Sequence, residues 1–337
     1  MNRTAVKTFK FLGILFAATF LAAVTGWGCL ALWYRLPFAE MAKIATCGAF
    51  ALVGIATVIA QFTKHRRRWL VVFASVFGVL LFWWNTIDPP KDGNWSPSVA
   101  RQVKGEIEGD ILTLTDVRAF EWRDKTDFTE KWKTEAYDLS KLQTVDIFLS
   151  YWGDPDIAHF ILSFGFSDGD YLAWSVEVRR EIGGGFSPVA DLFKANSLVI
   201  LATEEEDVIG VRSNVRGEDV HIFRVRVTPQ MARNLLEEYV REANALAETP
   251  RWYNSFSTNC TTVIYKMLSL AGEGIPFDWR IIVNGYLPEM MYDRGTVNTS
   301  VSISDLRELG RIAPRALAVG LGPEFSNAIR QGVPVPD

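Results

Sequence analysis

The sequence predicts an α+β domain, in which an antiparallel sheet packs on helices, preceded by three transmembrane helices. Three observations predict this architecture: three long apolar stretches open the chain, a region rich in strand signals follows them, and amphipathic helical patterns begin at about residue 228. We therefore expect a three-helix transmembrane anchor at residues 1–87, a linker at 88–98 and an extracytoplasmic domain at 99–337.

The three apolar stretches cover residues 11–34, 44–62 and 69–87. Each is close to the roughly 20 residues that a helix needs to cross the core of a bilayer. The first stretch has a basic leader and would by itself resemble a signal peptide, but it is long for one and two more stretches follow. We interpret all three as membrane anchors and not as a cleaved signal.

Basic residues orient these anchors. Three of them precede the first stretch, and Lys64 and the arginines that follow His65 lie in the short connection between the second and third stretches. Short loops rich in Lys and Arg stay on the cytoplasmic side of a membrane. Three crossings then place everything after about Asp88 on the outer side.

The predicted outer region is acidic. The first 87 residues hold nine Lys or Arg and one acidic residue, which leaves 26 basic and 38 acidic residues beyond them. Nucleic-acid binding needs a basic footprint, so the sequence excludes this class of function. The same charge disfavours an electrostatic grip on anionic lipid, so a lipid contact would rely on apolar surface and on tethering.

Strand signals dominate the first half of the outer region, and helical signals dominate the second half. The strand candidates are residues 109–115, 145–149, 158–166, 171–178, 197–202 and 220–227. The predicted helices run from Thr228-Pro229 to about Pro250, from Cys260 to Gly272 or Gly274, and from Ser304 to Leu309. Thr228 is a suitable N-cap and Pro229 a suitable first helical residue, so the first of these helices has the clearest start.

Cys260 is the single cysteine of the outer region, because Cys29 and Cys47 lie within predicted spans. It stands at the predicted start of a helix, where Thr258 or Asn259 would be the N-cap. The positive end of a helix dipole lowers the pKa of a thiol and favours the thiolate that attacks carbonyls. The alternative is a small buried apolar residue. An unpaired thiol in an oxidising compartment is a liability unless it is buried or used, so we favour a nucleophile.

A catalytic thiol needs a base, and histidine suits this role near neutral pH. The chain has three histidines. His65 would lie on the cytoplasmic side, and for His221 we expect a surface or packing role. His159 lies within an apolar strand, where a histidine is usually a core residue, but it is the best partner that the chain offers. We therefore predict a pair of Cys260 and His159, with the thiol on a helix and the imidazole on a neighbouring strand, as in papain-like enzymes.

A third catalytic group would come from the next strand, where Glu177 lies. Asp168-Gly169 is a strong signal for a two-residue hairpin turn, which would pair His159 with Val178 and point Glu177 to the other side of the sheet. A three-residue loop with a bulge would bring Glu177 across. The alternative for Glu177 is a structural ion pair with Arg179 or Arg212.

Other residues are candidates for binding the substrate. The acidic run that includes Glu206 and Asp207 would be either a solvated turn or a site for a substrate amine. Tyr253 and Asn254 would either donate to an oxyanion, beside the backbone N–H of Cys260, or serve in packing. The sequence contains no nucleophile elbow, phosphate-binding loop, dinucleotide fingerprint or zinc-type cluster, so we expect neither a metal nor a cofactor.

Several motifs occur in a fixed order in the outer region. They are Asp156-Ile157-Ala158-His159, Ser163-Phe164-Gly165-Phe166-Ser167-Asp168-Gly169, Ser175-Val176-Glu177-Val178-Arg179, Glu206-Asp207-Val208-Ile209 with Arg212, and Tyr253-Asn254 leading to Asn259-Cys260-Thr261-Thr262. Together these motifs resemble the Lnb-type N-terminal periplasmic domain family. The resemblance runs from about Trp95 to beyond Pro276.

The resemblance implies a permuted, NlpC-type papain-like domain and a thiol enzyme in a bacterial inner membrane, with several spans and its C-terminal domain in the periplasm. The family name comes from a bacterial lipoprotein N-acyltransferase. The implied reaction takes an acyl chain from a membrane phospholipid onto Cys260 as a thioester and passes it to the N-terminal amine of a lipoprotein substrate. His159 and Glu177 would be catalytic, and Asn259 and Arg212 would join the substrate and oxyanion candidates.

Two alternatives to acyl transfer remain open. The same Cys–His pair would serve a cysteine peptidase or amidase that acts on cell-wall peptides with water as the acceptor. A catalytically silent, membrane-bound binding module would instead have a buried and unreactive Cys260. An apolar groove would favour acyl transfer, and a polar cleft that fits a peptide would favour hydrolysis.

Overall fold

The structure is a computed structural model that describes residues 3–270 and 276–336. The chain forms two compact units, Met1–Pro89 with Ser187–Ala195, and Pro90–Phe186 with Asn196–Asp337. The first break between the units falls inside the stretch that was predicted as a linker. Gly272 and Gly274, which were predicted to stop the helix after Cys260, lie outside the described residues.

The first unit consists mainly of three helices, α1 (Arg3–Arg35), α2 (Glu40–Ala60) and α3 (Arg66–Asn85). Each is long and apolar enough to cross a membrane, with a mean hydropathy of 1.9, 1.9 and 1.5 over its most apolar window. The three helices coincide with the three apolar stretches of the sequence, and Cys29 and Cys47 lie on α1 and α2 as predicted.

Small residues allow these helices to pack closely. Gly28 of α1 lies against Phe50 and Leu80, and Gly54 of α2 lies against Thr25, so a Cβ atom at either glycine would overlap those side chains. Close approach at small residues is the usual way in which membrane helices associate, because lipid provides no hydrophobic drive between them.

The second unit is built around a sheet of eight strands, whose order is β1-β2-β9-β8-β7-β6-β10, with β5 paired to β2. The strands are β1 (Lys104–Glu108), β2 (Ile111–Arg118), β3 (Glu121–Trp122), β4 (Phe128–Thr129), β5 (Trp132–Asp138), β6 (Leu142–Tyr151), β7 (His159–Phe166), β8 (Tyr171–Arg179), β9 (Ser197–Thr203) and β10 (Asp219–Val225). Strands β3 and β4 form a separate hairpin. The large sheet is antiparallel except where Arg118 of β2 meets Thr203 of β9.

Helices of the second unit flank the sheet, whereas α4 belongs to the first unit. The α-helices that follow α3 are α4 (Pro188–Asp191), α5 (Glu205–Val208), α6 (Pro229–Glu248), α7 (Cys260–Leu270), α8 (Leu287–Asp293), α9 (Ile303–Gly310), α10 (Ala313–Val319) and α11 (Phe325–Ala328). A π-helix covers Val211–Arg216, and short 3₁₀ turns cover Pro97–Val99, Leu139–Lys141, Trp279–Ile281 and Asn284–Tyr286. The predicted helices at Thr228-Pro229, Cys260 and Ser304 correspond to α6, α7 and α9.

The sheet lies between two helical layers. Every residue of β7 and β9 is buried, as expected when both faces of a sheet are covered. On one face Phe164 and Trp174 pack with Tyr239 of α6, in the cluster that also contains residues of α7, α8 and α9. On the other face Ile161 packs in a cluster with Phe325 of α11 and residues of α10. The predicted α+β class is therefore correct.

The hairpin between β7 and β8 has a three-residue loop, so the prediction of a two-residue turn is wrong. The backbone N–H of Phe166 donates to the carbonyl of Asp170 at 2.9 Å, which leaves Ser167, Asp168 and Gly169 in the loop. Gly169 has a φ of 97°, a conformation that favours glycine. Lys141, on a neighbouring turn, bonds Asp168 of this loop through its ammonium at 3.0 Å.

The three-residue loop shifts the strand register by one residue relative to the predicted turn. Ile161 lies opposite Ser175, and continuation of this ladder places His159 opposite Glu177. Paired residues of an antiparallel sheet project to the same face, so the imidazole and the carboxylate lie on one side.

Candidate active site

Cys260 is the first residue of α7. The side-chain oxygen of Asn259 accepts from the backbone N–H groups of Thr261 and Thr262 at 3.0 and 2.9 Å, and the Thr262 hydroxyl accepts from the N–H of Asn259 at 2.9 Å. This reciprocal arrangement is a capping box. Asn259 is therefore the N-cap of α7, and its side chain fixes the helix start and thereby the position of the thiol.

Cys260 is buried, and α7 packs against β7. The imidazole of His159 and the backbone N–H of Phe160 interact with the thiol, and the hydroxyl of Thr261 lies 3.8 Å from the sulfur. Burial opposes ionisation of the thiol, but the bond to His159, the charge of His159 and the other two bonds outweigh it. The pKa of Cys260 is therefore lowered.

The imidazole of His159 has a fixed orientation. Its Nε2 lies 2.8 Å from the hydroxyl of Ser175 and 3.1 Å from Oε1 of Glu177, and the Ser175 hydroxyl donates to the same Oε1 at 2.8 Å. Because a serine hydroxyl has a single proton, Ser175 accepts from Nε2–H while it donates to Glu177. With the proton on Nε2, the neutral imidazole keeps Nδ1 as an acceptor.

The pKa of His159 is raised. Burial of the ring lowers it, and the nearby charge of Arg212 lowers it further, but the charge of Glu177 and the hydrogen bonds to Cys260 and Glu177 outweigh both. A raised pKa on the imidazole and a lowered pKa on the thiol favour the same state, a thiolate paired with an imidazolium. The arrangement is thus suited to nucleophilic attack near neutral pH.

Glu177 both faces the imidazole of His159 and forms an ion pair with Arg212, which are the two roles that the sequence left as alternatives. Its Oε1 faces His159 and also accepts from the guanidinium of Arg212 at 3.0 Å, and Arg212 in turn bonds Glu218 at 3.2 Å. Burial opposes ionisation of Glu177, but the charges of His159 and Arg212 hold its pKa well below the ordinary value. Arg179 bonds the carbonyls of Val99 and Ala100 instead.

Asn284 bonds the residue before His159 and the residue after Cys260, a role that the sequence did not predict. Its amide accepts from the N–H of Ala158 at 2.8 Å, and donates to the carbonyl of Ala158 at 2.6 Å and to the hydroxyl of Thr261 at 2.7 Å. Ala158 precedes His159 and Thr261 follows Cys260. One buried amide therefore holds the start of β7 against the start of α7.

The neighbouring Gly285 allows this contact. A Cβ atom at that position would overlap the backbone of Pro155 and Asp156, and the N–H of Gly285 donates to the carbonyl of Asp156 at 2.9 Å. No local pattern around Asn284 and Gly285 indicates their role, because their partners lie far away along the chain.

Residues 128–285 match the family model of the Lnb N-terminal periplasmic domain. This part of the chain is similar to the Lnb N-terminal periplasmic domain. The match includes Cys260, His159, Ser175, Glu177 and Asn284, so all five residues lie in the shared part. No curated protein and no solved structure matches the chain.

The family match and the three apolar helices together describe a membrane protein with a periplasmic domain. The family match confirms the resemblance that the motifs indicated. The matched region, called the Lnb-type domain below, begins at Phe128, the first residue of β4. It ends within the 3₁₀ turn Asn284–Tyr286.

In the Lnb-type domain, Asp207 is a structural carboxylate. It is 1% exposed and accepts bonds from both ends of the guanidinium of Arg118 at 2.8 and 3.0 Å, from the N–H of Phe120 at 2.9 Å and from the indole of Trp122 at 2.7 Å. These donors give the carboxylate a structural role, and its role in binding a substrate amine stays a prediction. Glu205 is also buried, which rules out a solvated turn.

Glu206, the other acidic candidate in this run, is half-buried on α5. Its pKa is raised by burial and by the negative charges of Glu204, Glu121 and Asp207. A carboxyl whose negative form is disfavoured is poorly suited to hold a cationic amine. Its role in substrate binding stays a prediction.

Asp207→Asn should lower the free energy of unfolding by about 3 kcal/mol or more, because the guanidinium of Arg118 would stay buried without a charged partner. Thermal unfolding of the full chain in detergent, followed by circular dichroism, measures this change. Asp127→Asn is the matched control, since Asp127 and Arg123 form a pair in which both side chains are more than half exposed. We expect no measurable change there, and equal losses in the two variants would contradict the assignment.

Tyr253 and Asn254 shape the loop that leads to Cys260. The amide oxygen of Asn254 accepts from the N–H groups of Phe256 and Ser257 at 3.1 and 2.9 Å, and the backbones of Asn254 and Thr258 pair with each other. Tyr253 is buried in the core cluster that contains Cys260. A role for either residue as an oxyanion donor stays a prediction.

The other outer histidine has a packing role. His221 is buried, its Nδ1 lies 3.0 Å from the carbonyl of Arg307, its Nε2 lies 3.1 Å from Asp219, and its ring stacks on Phe223. Within residues 3–270 and 276–336, no group of three or more His, Cys, Asp or Glu is arranged to hold a metal ion.

Proposed function

We propose that this protein is a membrane-anchored cysteine acyltransferase, which moves an acyl chain from a phospholipid, through a thioester on Cys260, to the N-terminal amine of a lipoprotein. The pairing of Cys260 with His159 carries the proposal, because it joins a nucleophile of lowered pKa to a base of raised pKa. The Lnb-type domain and the three apolar helices support a lipid substrate and a lipoprotein acceptor at a membrane.

A papain-like arrangement is part of the proposal. The thiol lies at the start of a helix, the imidazole lies on an adjacent antiparallel strand, and a side chain from the next strand orients the imidazole. His159 precedes Cys260 along the chain, which is the order expected of a permuted domain. In this arrangement the site sits where β7 begins and β8 ends.

Acylation begins with attack of the Cys260 thiolate on the ester carbonyl of the phospholipid. The backbone N–H of Cys260, at the first position of α7, has no acceptor within the helix and is placed to donate to the oxyanion. Collapse of the tetrahedral intermediate breaks the ester C–O bond. The imidazolium of His159 gives its proton to the departing alkoxide, which leaves as a lysophospholipid, and the acyl group remains on the sulfur as a thioester.

Transfer to the acceptor reverses the proton path. The terminal amine of the lipoprotein attacks the thioester carbonyl while the neutral His159 accepts the amine proton. Collapse of this second intermediate forms an amide, and the sulfur leaves as a thiolate beside the imidazolium. The charge of Glu177 stabilises the imidazolium in both steps, as in other thiol or serine triads.

The proposed location is the inner membrane of a bacterium, with three passes and the Lnb-type domain in the periplasm. The phospholipid donor and the lipid-bearing lipoprotein would then share one membrane surface with the enzyme. This location suits acyl transfer better than hydrolysis of soluble peptides, because both proposed substrates are held by lipid.

Incubation of the full-length protein with phospholipid vesicles, followed by intact mass spectrometry, tests the proposal. We expect a mass increase equal to one acyl group, located on Cys260 and removed by neutral hydroxylamine, as a thioester requires. Cys260→Ala and His159→Ala should each abolish the adduct. His221→Ala, at the other buried imidazole, should retain it.

Two outcomes would contradict acyl transfer. No adduct, from protein whose Cys260 still reacts with an alkylating reagent, would favour the hydrolase and cell-wall peptides as substrates. No adduct and no alkylation would favour the silent binding module.

A further inference from the structure

The connection between β8 and β9 is much longer than the sheet requires. The two strands pair directly, from Ala173 with Thr203 to Arg179 with Ser197, so a tight turn would join them. The chain instead runs through residues 180–196, and its central part, Ser187–Ala195, belongs to the same compact unit as the three apolar helices. This part of the connection is therefore available for a role outside the sheet.

An aromatic contact holds the segment Ser187–Ala195 to the apolar helices. Phe193 is 5% exposed, and its ring lies 5.6 Å from that of Tyr34 in a stacked arrangement. Trp27 and Trp84 complete the contact at centroid distances of 6.3 and 6.4 Å. Three aromatic side chains from α1 and α3 thus surround one aromatic side chain of the segment.

A second contact caps the end of α3. The ammonium of Lys194 donates to the carbonyls of Trp84 and Ile87 at 2.7 and 3.1 Å and lies 4.7 Å from the centre of the Trp84 ring. A cation near the last carbonyls of a helix is favourable, because these acceptors lack an N–H donor within the helix and lie at the negative end of its dipole. The segment is therefore fixed at the C-terminal ends of α1 and α3.

The aromatic residues also indicate the depth of the segment. Tyr34 is the residue before the last of α1, and Trp84 is the residue before the last of α3. Trp and Tyr at the ends of spanning helices lie at the level of the lipid headgroups. Phe193 packs against both rings, so the segment lies at this level too.

The outward face of the segment is apolar. Val189 and Leu192 are 49% and 40% exposed, and their spacing of three residues places them on one side of α4 and the turn after it. Asp191 is fully buried, and Lys194 is engaged with α3. The segment thus combines two exposed apolar side chains with a buried aromatic contact to the ends of α1 and α3.

We propose that Ser187–Ala195 is a membrane-interface segment, whose Val189 and Leu192 insert between the headgroups and acyl chains of the bilayer. Lipid is the expected occupant because the segment continues the surface of the spanning helices at headgroup depth. The acidic outer region gives little electrostatic attraction to anionic lipid, so an apolar contact of this kind supplies what charge does not. The inference does not depend on the proposed acyl transfer.

Spin labels test the depth directly. The full chain, with Cys29, Cys47 and Cys260 changed to alanine, would carry one label at Val189→Cys or Leu192→Cys in lipid nanodiscs. Power saturation then compares collisions with oxygen, which concentrates in lipid, and with a water-soluble nickel chelate. Leu52→Cys, exposed in the middle of α2, is the lipid reference, and Lys64→Cys, in the connection between α2 and α3, is the aqueous reference.

We expect the ratio of oxygen to nickel collisions at positions 189 and 192 to be several-fold higher than at position 64 and lower than at position 52. A ratio equal to that at position 64 would overturn the proposal, because both side chains would then face water. Shielding from both reagents would overturn it as well, because a protein surface would then cover the segment. Neither outcome bears on the thioester, since these variants lack Cys260.

Discussion

His159→Gln will shift the reaction of Cys260 with iodoacetamide to alkaline pH. The pKa of Cys260 is lowered only because its bonds and charge interaction, chiefly with His159, outweigh burial. Without the imidazole, burial dominates and the thiol titrates above its ordinary range. Each pKa unit changes the thiolate fraction tenfold, so alkylation at pH 6 should fall by about 100-fold or more.

The direction of the pH profile follows from the two pKa shifts. The lowered pKa of Cys260 and the raised pKa of His159 both favour the thiolate–imidazolium pair over the neutral pair. The unaltered protein should therefore show fast alkylation that begins on the acid side of an ordinary thiol titration. Digestion and mass spectrometry of the peptide that contains Cys260 measure this rate separately from those of Cys29 and Cys47.

His221→Gln is the matched control for this experiment. It removes the other buried imidazole, whose partners are Asp219 and the carbonyl of Arg307, and should leave the profile of Cys260 unchanged. If His159→Gln also left the profile unchanged, the thiol would not be paired with the imidazole. The assigned base would then be wrong.

Local signals explain what the sequence predicted well. The start of α6 depends on Thr228 and Pro229, and the start of α7 depends on Asn259, so each cap acts within a few residues of the helix that it begins. The pairing of Cys260 with His159 followed from elimination, since the outer region offers one cysteine and two histidines. The pairing was inferred from the predicted outer location of the domain and from its few cysteines and histidines, and not from the spacing of the two residues.

The register of β7 and β8 shows where local signals end. Asp168-Gly169 occurs in turns of two and of three residues, and the pair itself does not select between them. A change of one residue moves Glu177 from the far face of the sheet to the side of His159. The sequence contained both alternatives, and the observed ladder, with Ile161 opposite Ser175, is that of the three-residue loop.

Buried polar groups were the least predictable. Asp207 lies in an acidic run that looks solvated, because its partners Arg118 and Trp122 are more than eighty residues away. Ser175 and Asn284 have no local pattern that separates them from other small polar residues. Their importance comes from hydrogen bonds across the fold, which no window of sequence contains.

Glu177→Gln should disable the pair while it keeps the size of the side chain. The charge of Glu177 is the largest contribution that raises the pKa of His159, and Arg212, which lowers that pKa, would stay in place. The imidazolium would lose its support, the pKa of His159 would fall and that of Cys260 would rise. A change of one unit in the thiol corresponds to a rate of alkylation at pH 6 that is about tenfold lower.

Glu218→Gln distinguishes the effect of the contact between Glu177 and His159 from that of the contact between Glu177 and Arg212. Glu218 bonds the same guanidinium of Arg212 at 3.2 Å, and its bonds go to Arg212, Arg216 and Ser150. A purely structural ion pair predicts similar effects for the two substitutions, since each removes one carboxylate from Arg212. If Glu177 orients His159 and stabilises its positive charge, Glu177→Gln should lower the rate of alkylation strongly and Glu218→Gln only slightly. Ser175→Ala should lie in between, because the direct contact of His159 with Glu177 at 3.1 Å would remain. Equal losses at 177 and 218 would assign Glu177 a structural role, and His159 would then act without support from its carboxylate.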